Sequence, residues 1–162
     1  ENPPSPPVVV PETAAAAPVR VLLSEIMVGT EENGAEDEFV ELYNSGDSPV
    51  NLSGWSLKKK TSSGNEYNLV SAGSFLGNIP GKGFFLVTHK NYKRAAPADL
   101  VYSANSQNLA YTANSVLLYN ESGEVADSAS WSEIPKSSSW ERVDFQGNQF
   151  QVQSVPSPTG SK

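Results

Sequence analysis

Six carboxylates crowd one stretch of the chain: Glu31, Glu32, Glu36, Asp37, Glu38 and Glu41. Carboxylate oxygens are the natural ligands of Ca²⁺. The spacing, however, lacks the EF-hand order of Asp, Asn and Gly followed by a distal Glu. A solvated loop over 31–38 is the expectation, with Ca²⁺ binding as the alternative. His89 is the only histidine. A catalytic imidazole needs a nucleophile and an orienting group beside it, and no Gly-x-Ser-x-Gly segment supplies the first. Glycosidase chemistry would need two carboxyls facing each other across a cleft, and nothing in the sequence points to one. His89 therefore reads as a surface residue at a strand end, and no catalytic, cofactor-binding or metal-ligating residue is expected.

Two further groups could act by binding. Lys58, Lys59, Lys60, Lys82, Lys90, Lys93 and Arg94 could form a basic face, or could simply keep edges soluble, because lysines discourage edge-to-edge strand pairing. Tyr67, Tyr92, Tyr102 and Tyr111 could stack on sugars, although half-buried packing is the commoner use of such rings. Eleven basic and 18 acidic residues give a net charge of −7. DNA affinity rests on neutralising phosphates, so general nucleic-acid binding is not expected. Cysteine is absent, which excludes disulfides and thiolate metal sites. No run of about 18 apolar residues could cross a membrane as a helix. Met27 is the only methionine, so the chain is expected to be a processed product or an excerpt of a longer one.

The elements that must position these residues are short strands. Residues 1–19 hold six of the 12 prolines. Proline lacks the amide donor, so this stretch reads as an extended linker. Residues 21–28 are apolar and β-branched. Over 39–44 large residues occupy both faces, which places that strand centrally in a sheet. Short strands follow at 50–52, from Trp55, at 66–70, 84–88 and 100–102. Lys58, Lys59 and Lys60 are expected to lead their strand out into solvent, and 90–99 to hold a short helical turn. Residues 115–120 and 125–131 form a hairpin about a Ser-Gly turn, and 138–143 is a last strand. Glu41 is expected on the solvent face or paired, with Arg142 as its candidate partner. Seven to nine short antiparallel strands without a long helix make an all-β protein, an immunoglobulin-like sandwich or a small barrel.

Four segments in order resemble the lamin tail domain family: Ser24-Glu-Ile26; Asp37-Glu-Phe-Val-Glu-Leu-Tyr-Asn44 with Val50-Asn-Leu-Ser-Gly-Trp-Ser-Leu57; Pro80-Gly-Lys-Gly-Phe-Phe-Leu-Val87; and Ser115-Val-Leu-Leu-Tyr119 with Val125-Ala-Asp-Ser128, Ser139-Trp-Glu-Arg142 and Pro156-Ser-Pro-Thr-Gly160. The resemblance runs from about Arg20 to Gly160 and implies an immunoglobulin-like β-sandwich over 20–160 with no catalytic residues. Phe39, Leu42, Trp55, Leu57, Phe85, Val87 and Leu117 are its expected structural core. Phe39 and Trp55, each able to bury about 150–250 Å², are expected to anchor two facing sheets. The family implies a noncatalytic interaction module that binds protein or positions a neighbouring domain. The Pro-rich leader resembles bacterial, surface-exposed members, hence an extracellular or cell-surface setting. The alternative is a carbohydrate- or polymer-binding accessory domain of a secreted hydrolase or nuclease. The isolated domain is expected to be monomeric, with a protein or surface polymer as partner.

Overall fold

The computed structural model describes residues 20–102 and 108–159, so the expected linker 1–19 lies outside the described residues. Twelve strands run through them: β1 (Val21–Met27), β2 (Phe39–Asn44), β3 (Val50–Asn51), β4 (Ser56–Thr61), β5 (Glu66–Val70), β6 (Asn78–Ile79), β7 (Phe84–His89), β8 (Leu100–Tyr102), β9 (Thr112–Tyr119), β10 (Val125–Glu133), β11 (Ser139–Arg142) and β12 (Phe150–Gln153). A six-stranded sheet in the order β12-β11-β1-β2-β7-β8 faces a four-stranded sheet in the order β10-β9-β4-β5, and β3 pairs with β6 as a small ribbon. All pairings are antiparallel except β7 with β8. This is the all-β, immunoglobulin-like sandwich that the sequence suggests. The strand number exceeds the expected seven to nine chiefly because β6 and β12 carry no run of large apolar residues. The single helical turn among the described residues is a 3-10 turn at Ala35–Asp37, whereas 90–99 makes bends and turns only.

Side-chain alternation decides what lies between the sheets. From the larger sheet Val21, Leu23, Ile26, Val40, Leu42, Phe85 and Val87 point inward, and from the smaller Leu57, Leu69, Val116, Leu118 and Trp131 meet them. Trp55 caps one end of this core at 8% exposure. The chain reaches the indole through Gly54, whose φ of 85° lies in the left-handed region that glycine occupies without steric cost. Phe39 is fully buried but on the opposite face of its sheet, where it packs with Met27, Leu86, Tyr92 and Ala96. Its parity in β2 is odd where Val40 and Leu42 are even, so it anchors a satellite cluster and not the two facing sheets. Leu117 likewise lies outside the core: it is half-buried on the outer face, while Val116 and Leu118 fill the core. Three consecutive apolar residues in a strand cannot all face one way.

Lys58, Lys59 and Lys60 do not leave the sheet. They pair with Leu117, Val116 and Ser115 of β9 on one side and with Asn68, Tyr67 and Glu66 of β5 on the other. The backbone ladder is indifferent to side-chain charge: the outer face takes Lys58 and Lys60, while Lys59, in register with the inward Val116, lies on the inner face at its end, where its Nζ donates to Asn108 O. Lys58 lies 3.6 Å from Glu66 and 4.4 Å over the Tyr119 ring.

One buried ion pair joins the two sheets. At β1 a bulge inserts Ser24 opposite the Leu42–Glu41 step of β2, and pairing with β11 begins only at Glu25. Leu23 would be left with an unpaired N–H and C=O in the interior. Asp127 Oδ2, from β10, accepts the Leu23 N–H at 2.7 Å, and Arg142 Nε, from β11, donates to Leu23 O at 2.7 Å. Arg142 Nη2 donates to the same Asp127 oxygen, and Nη1 donates to Gly147 O at 2.6 Å. The two side chains are 1% and 7% exposed. Arg142 therefore pairs with Asp127 and not with Glu41.

Removing one member of a buried pair leaves an uncompensated charge, which costs about 3–5 kcal/mol. Arg142→Ala is expected to lower the urea-unfolding free energy by about that much, whereas Arg142→Met with Asp127→Leu removes the lone charge but strands the Leu23 N–H and C=O, so the double variant should still lose about 1–3 kcal/mol for each of those two groups. A loss below ~1 kcal/mol for Arg142→Ala would refute the role. Leu118→Ala is expected to cost about 2–5 kcal/mol, whereas Leu117→Ala should stay within ~1 kcal/mol; equal losses in the same assay would contradict the assigned faces.

Candidate interaction surface

The acidic run disperses once folded. Glu31 meets Lys136 at 3.4 Å and Glu36 meets Lys93 at 3.2 Å, the latter contact holding the Glu36 carboxyl below its ordinary range. Asp37 Oδ2 accepts from Thr30 Oγ1 and Asn33 Nδ2, each at 2.9 Å, and locks its own loop. Glu41 turns to the outer face of the larger sheet and is 2% exposed. It accepts from Ser24 Oγ at 3.0 Å and from the Thr159 N–H and Oγ1, each at 2.6 Å. Beside it Glu25 accepts from Ser139 Oγ at 2.5 Å and from Ser157 N–H at 3.0 Å. The segment after β12 thus lies across this face as a strap. Burial raises the Glu25 carboxyl against those hydrogen bonds. No group of three or more Asp, Glu, His or Cys side chains capable of holding a metal occurs among the described residues.

Glu38 goes inward. It is fully buried and accepts from the Tyr102 hydroxyl and, at 2.7 Å, from the Leu109 N–H. Desolvation pushes its carboxyl up to about 8, outweighing those donors and the charge of Lys59. His89 is 7% exposed rather than a surface residue. Its ring stands edge-on to Tyr102, its Nδ1 accepts from Asn91 N–H at 3.2 Å, and burial followed by the charge of Lys90 lowers its pKa.

The remaining candidates do not converge. Lys82 pairs with Asp47 at 3.4 Å, and Lys59 Nζ donates to Asn108 O at 2.7 Å. Tyr92 packs edge-on to Phe39, Tyr102 is buried and Tyr111 is half-buried. Tyr67, at 38%, is the one markedly exposed aromatic among the described residues. A shallow recess of about 230 Å³ opens between β5 and β8, lined in part by Leu69, Val70, Leu100 and Val101.

What the fold leaves open is its sheet edges, which carry a row of unpaired backbone groups unless guarded. Of the four edges of the two large sheets, three are guarded or short. β5 is bulged at Leu69, and its Glu66 is engaged by Lys58 and Lys60. β10 is bulged at Ala126 and ends in Glu133. β8 has three residues. β12 differs. Phe150, Gln151, Val152 and Gln153 pair with Arg142, Glu141, Trp140 and Ser139 without a register shift, and contain no charge, proline or glycine. Phe150 and Val152 share the inner face with Trp140 and Arg142; Gln151 and Gln153 share the outer face with Glu141. Val152 is 44% exposed. The Trp140 and Phe150 rings lie 6.2 Å apart and within 9° of parallel, with the Arg142 guanidinium 4.5 Å over Phe150. The sequence reading missed β12, although its strict alternation of Gln with apolar residues carries the strand signal.

The Glu38 site sets a pH dependence. Its folded carboxyl titrates near 8 against an ordinary 4.5, so between those values the folded state holds a proton that the unfolded chain has lost. Stability from this group falls as pH rises through that window and is level above it. His89 acts oppositely, losing stability as pH falls below its ordinary value. The difference in unfolding free energy between wild type and Glu38→Gln isolates the carboxyl. It is expected to shift against wild type by a few kcal/mol between about pH 4.5 and 8; a pH-independent difference in urea titrations would disprove the assignment.

The comparisons agree with this architecture. No curated protein matches the sequence. The family model of the Lamin Tail Domain matches residues 14–133, which span β1 to β10 and include Trp55 and the Glu38 site. That family is immunoglobulin-like and noncatalytic, and its members are often protein-interaction modules. The match covers well over half of the chain, and the chain belongs to the lamin tail domain family.

Proposed function

We propose that this domain is a noncatalytic protein-interaction module of an extracellular or surface-exposed protein, docking an extended segment of its partner along the free edge of β12 and so positioning the domains attached to it. The observation that carries the reading is the contrast between edges: β12 is regular, uncharged and half-apolar, while the others are bulged, charged or short. An added strand gains affinity from main-chain hydrogen bonds and selectivity from alternate side chains. The large residues of the sandwich are committed to its core, which leaves loops and edges for binding. The Pro-rich stretch 1–19 suits a spacer that holds the module away from a surface.

A second reading has one observation in its favour. The near-parallel Trp140 and Phe150 rings form an aromatic surface of the kind that stacks on sugars, which would suit a carbohydrate-binding accessory domain.

The two readings separate in one titration of the ¹⁵N-labelled full chain. With a capped heptapeptide alternating valine and glutamine, amide shifts are expected to concentrate on 139–153 and to vanish in Val152→Lys. With cello- and chito-oligosaccharides, none is expected. Shifts and Trp140 fluorescence changes with a sugar alone would overturn docking in favour of the second reading, and peptide shifts outside 139–153 would overturn the assigned edge.

A further inference from the structure

The outer face beside β12 is strongly one-signed. Glu141 stands in direct register with Gln151 on one side and Glu25 on the other, and Glu25 with Glu41 beyond it. A row Gln151–Glu141–Glu25–Glu41 therefore crosses four strands without a lysine or arginine. Glu25 and Glu41 are satisfied by the strap and by serine hydroxyls. Glu141 is half-exposed and has no cation partner among the described residues. Asp144, in the β11–β12 turn, uses Oδ1 to accept the Gln146 and Gly147 amides, at 2.8 and 2.7 Å, and is exposed. The inner face of the same edge is apolar, with Phe150 and the exposed Val152 next to Trp140.

A strand added to β12 must present its alternate side chains to these two unlike faces. Residues on the Val152 side are driven to be apolar, since they cover Phe150 and Val152. Residues on the Gln151 side lie within a long side chain's reach of Glu141, so cations there gain and anions lose. A second copy of this chain would bring its own net charge of −7 and an uncharged β12, which offers no cation. We infer that the partner of the β12 edge is an extended polypeptide segment in which apolar residues alternate with lysine or arginine. This inference rests on the reading of β12 as the docking edge.

The test uses three capped heptapeptides that share valine at alternate positions and carry lysine, glutamine or glutamate at the others, titrated into the full chain by NMR. The lysine peptide is expected to bind at 139–153 at least roughly fivefold more tightly than the glutamate peptide at low salt, a size set by a few exposed ion pairs. The gap should close near about 0.5 M salt, where screening acts within a few ångströms. Glu141→Gln should reduce the preference by about half or more on a logarithmic scale, and Val152→Lys should abolish binding of all three. Equal binding of the lysine and glutamine peptides at 139–153 would overturn the basic partner while leaving the docking edge in place. No shift at 139–153 with any peptide would overturn both. Concentration-dependent self-association in sedimentation, lost in Val152→Lys, would replace the basic partner with a second copy.

Discussion

The sandwich depends on how one awkward backbone residue is satisfied. Leu23 is in register with Leu42 of β2, but beside the β1 bulge and before the start of β11 pairing its N–H and C=O find no strand on the other side. A buried, unpaired N–H or C=O costs about as much as a lost hydrogen bond or more. Asp127 and Arg142 stand in for the missing strand, one accepting and one donating, and neutralise each other in doing so. Because Asp127 belongs to one sheet and Arg142 to the other, the same contact fixes the position of the two sheets relative to each other. A hydrophobic interface alone would permit sliding; a pair whose every bond is directional does not. Arg142 also holds the β11–β12 turn through Gly147, so the free edge inherits its position from the clamp.

Buried carboxylates recur as positioning devices. Glu38 ties together Tyr102 and Leu109, and Glu25 with Glu41 holds the strap. The hydrogen bonds named come from backbone amides and hydroxyls. Such sites are costly to desolvate, which is why burial raises Glu38 and Glu25. They are also specific, since only one arrangement of chain supplies the donors. The acidity of the sequence is thus partly structural, and the sign of the net charge alone would have placed these residues on the surface.

The fold was legible because its strongest signals are local. Large residues on both faces of 39–44 require a central strand, and β2 is flanked by β1 and β7. The Ser-Gly turn between β9 and β10 and the glycine before Trp55 are chain-geometry requirements that leave a mark on residue type. What was not legible depends on partners distant in sequence. Parity in β9 could be read two ways, and the facing sheet selected Val116 and Leu118 over Leu117. The same parity sent Phe39 to the satellite cluster. The run at Lys58 looked like an exit because charge suggests solvent, yet a strand flanked on both sides can carry Lys58 and Lys60 on its outer face, where Glu66 and Tyr119 receive them, and Lys59 at the end of its inner face, where Asn108 O does. His89 gave no hint of burial, since its burial comes from β8 and the loop after β7.

The candidate surface was hidden for a related reason. β12 is polar by composition, and glutamine does not announce a strand; only its alternation with Phe150 and Val152 does. A core strand declares itself through bulk because it must fill space, whereas an edge strand that binds in trans need not. Its outer hydrogen bonds are to be made by another chain, so selection acts on what it lacks: a bulge, a charge, a proline. The guards present on β5 and β10 give that absence its meaning. Where a fold protects its other long edges and leaves one regular and neutral, beside unpaired acid and exposed valine, the unprotected edge is the place where its surface differs from what solubility alone requires.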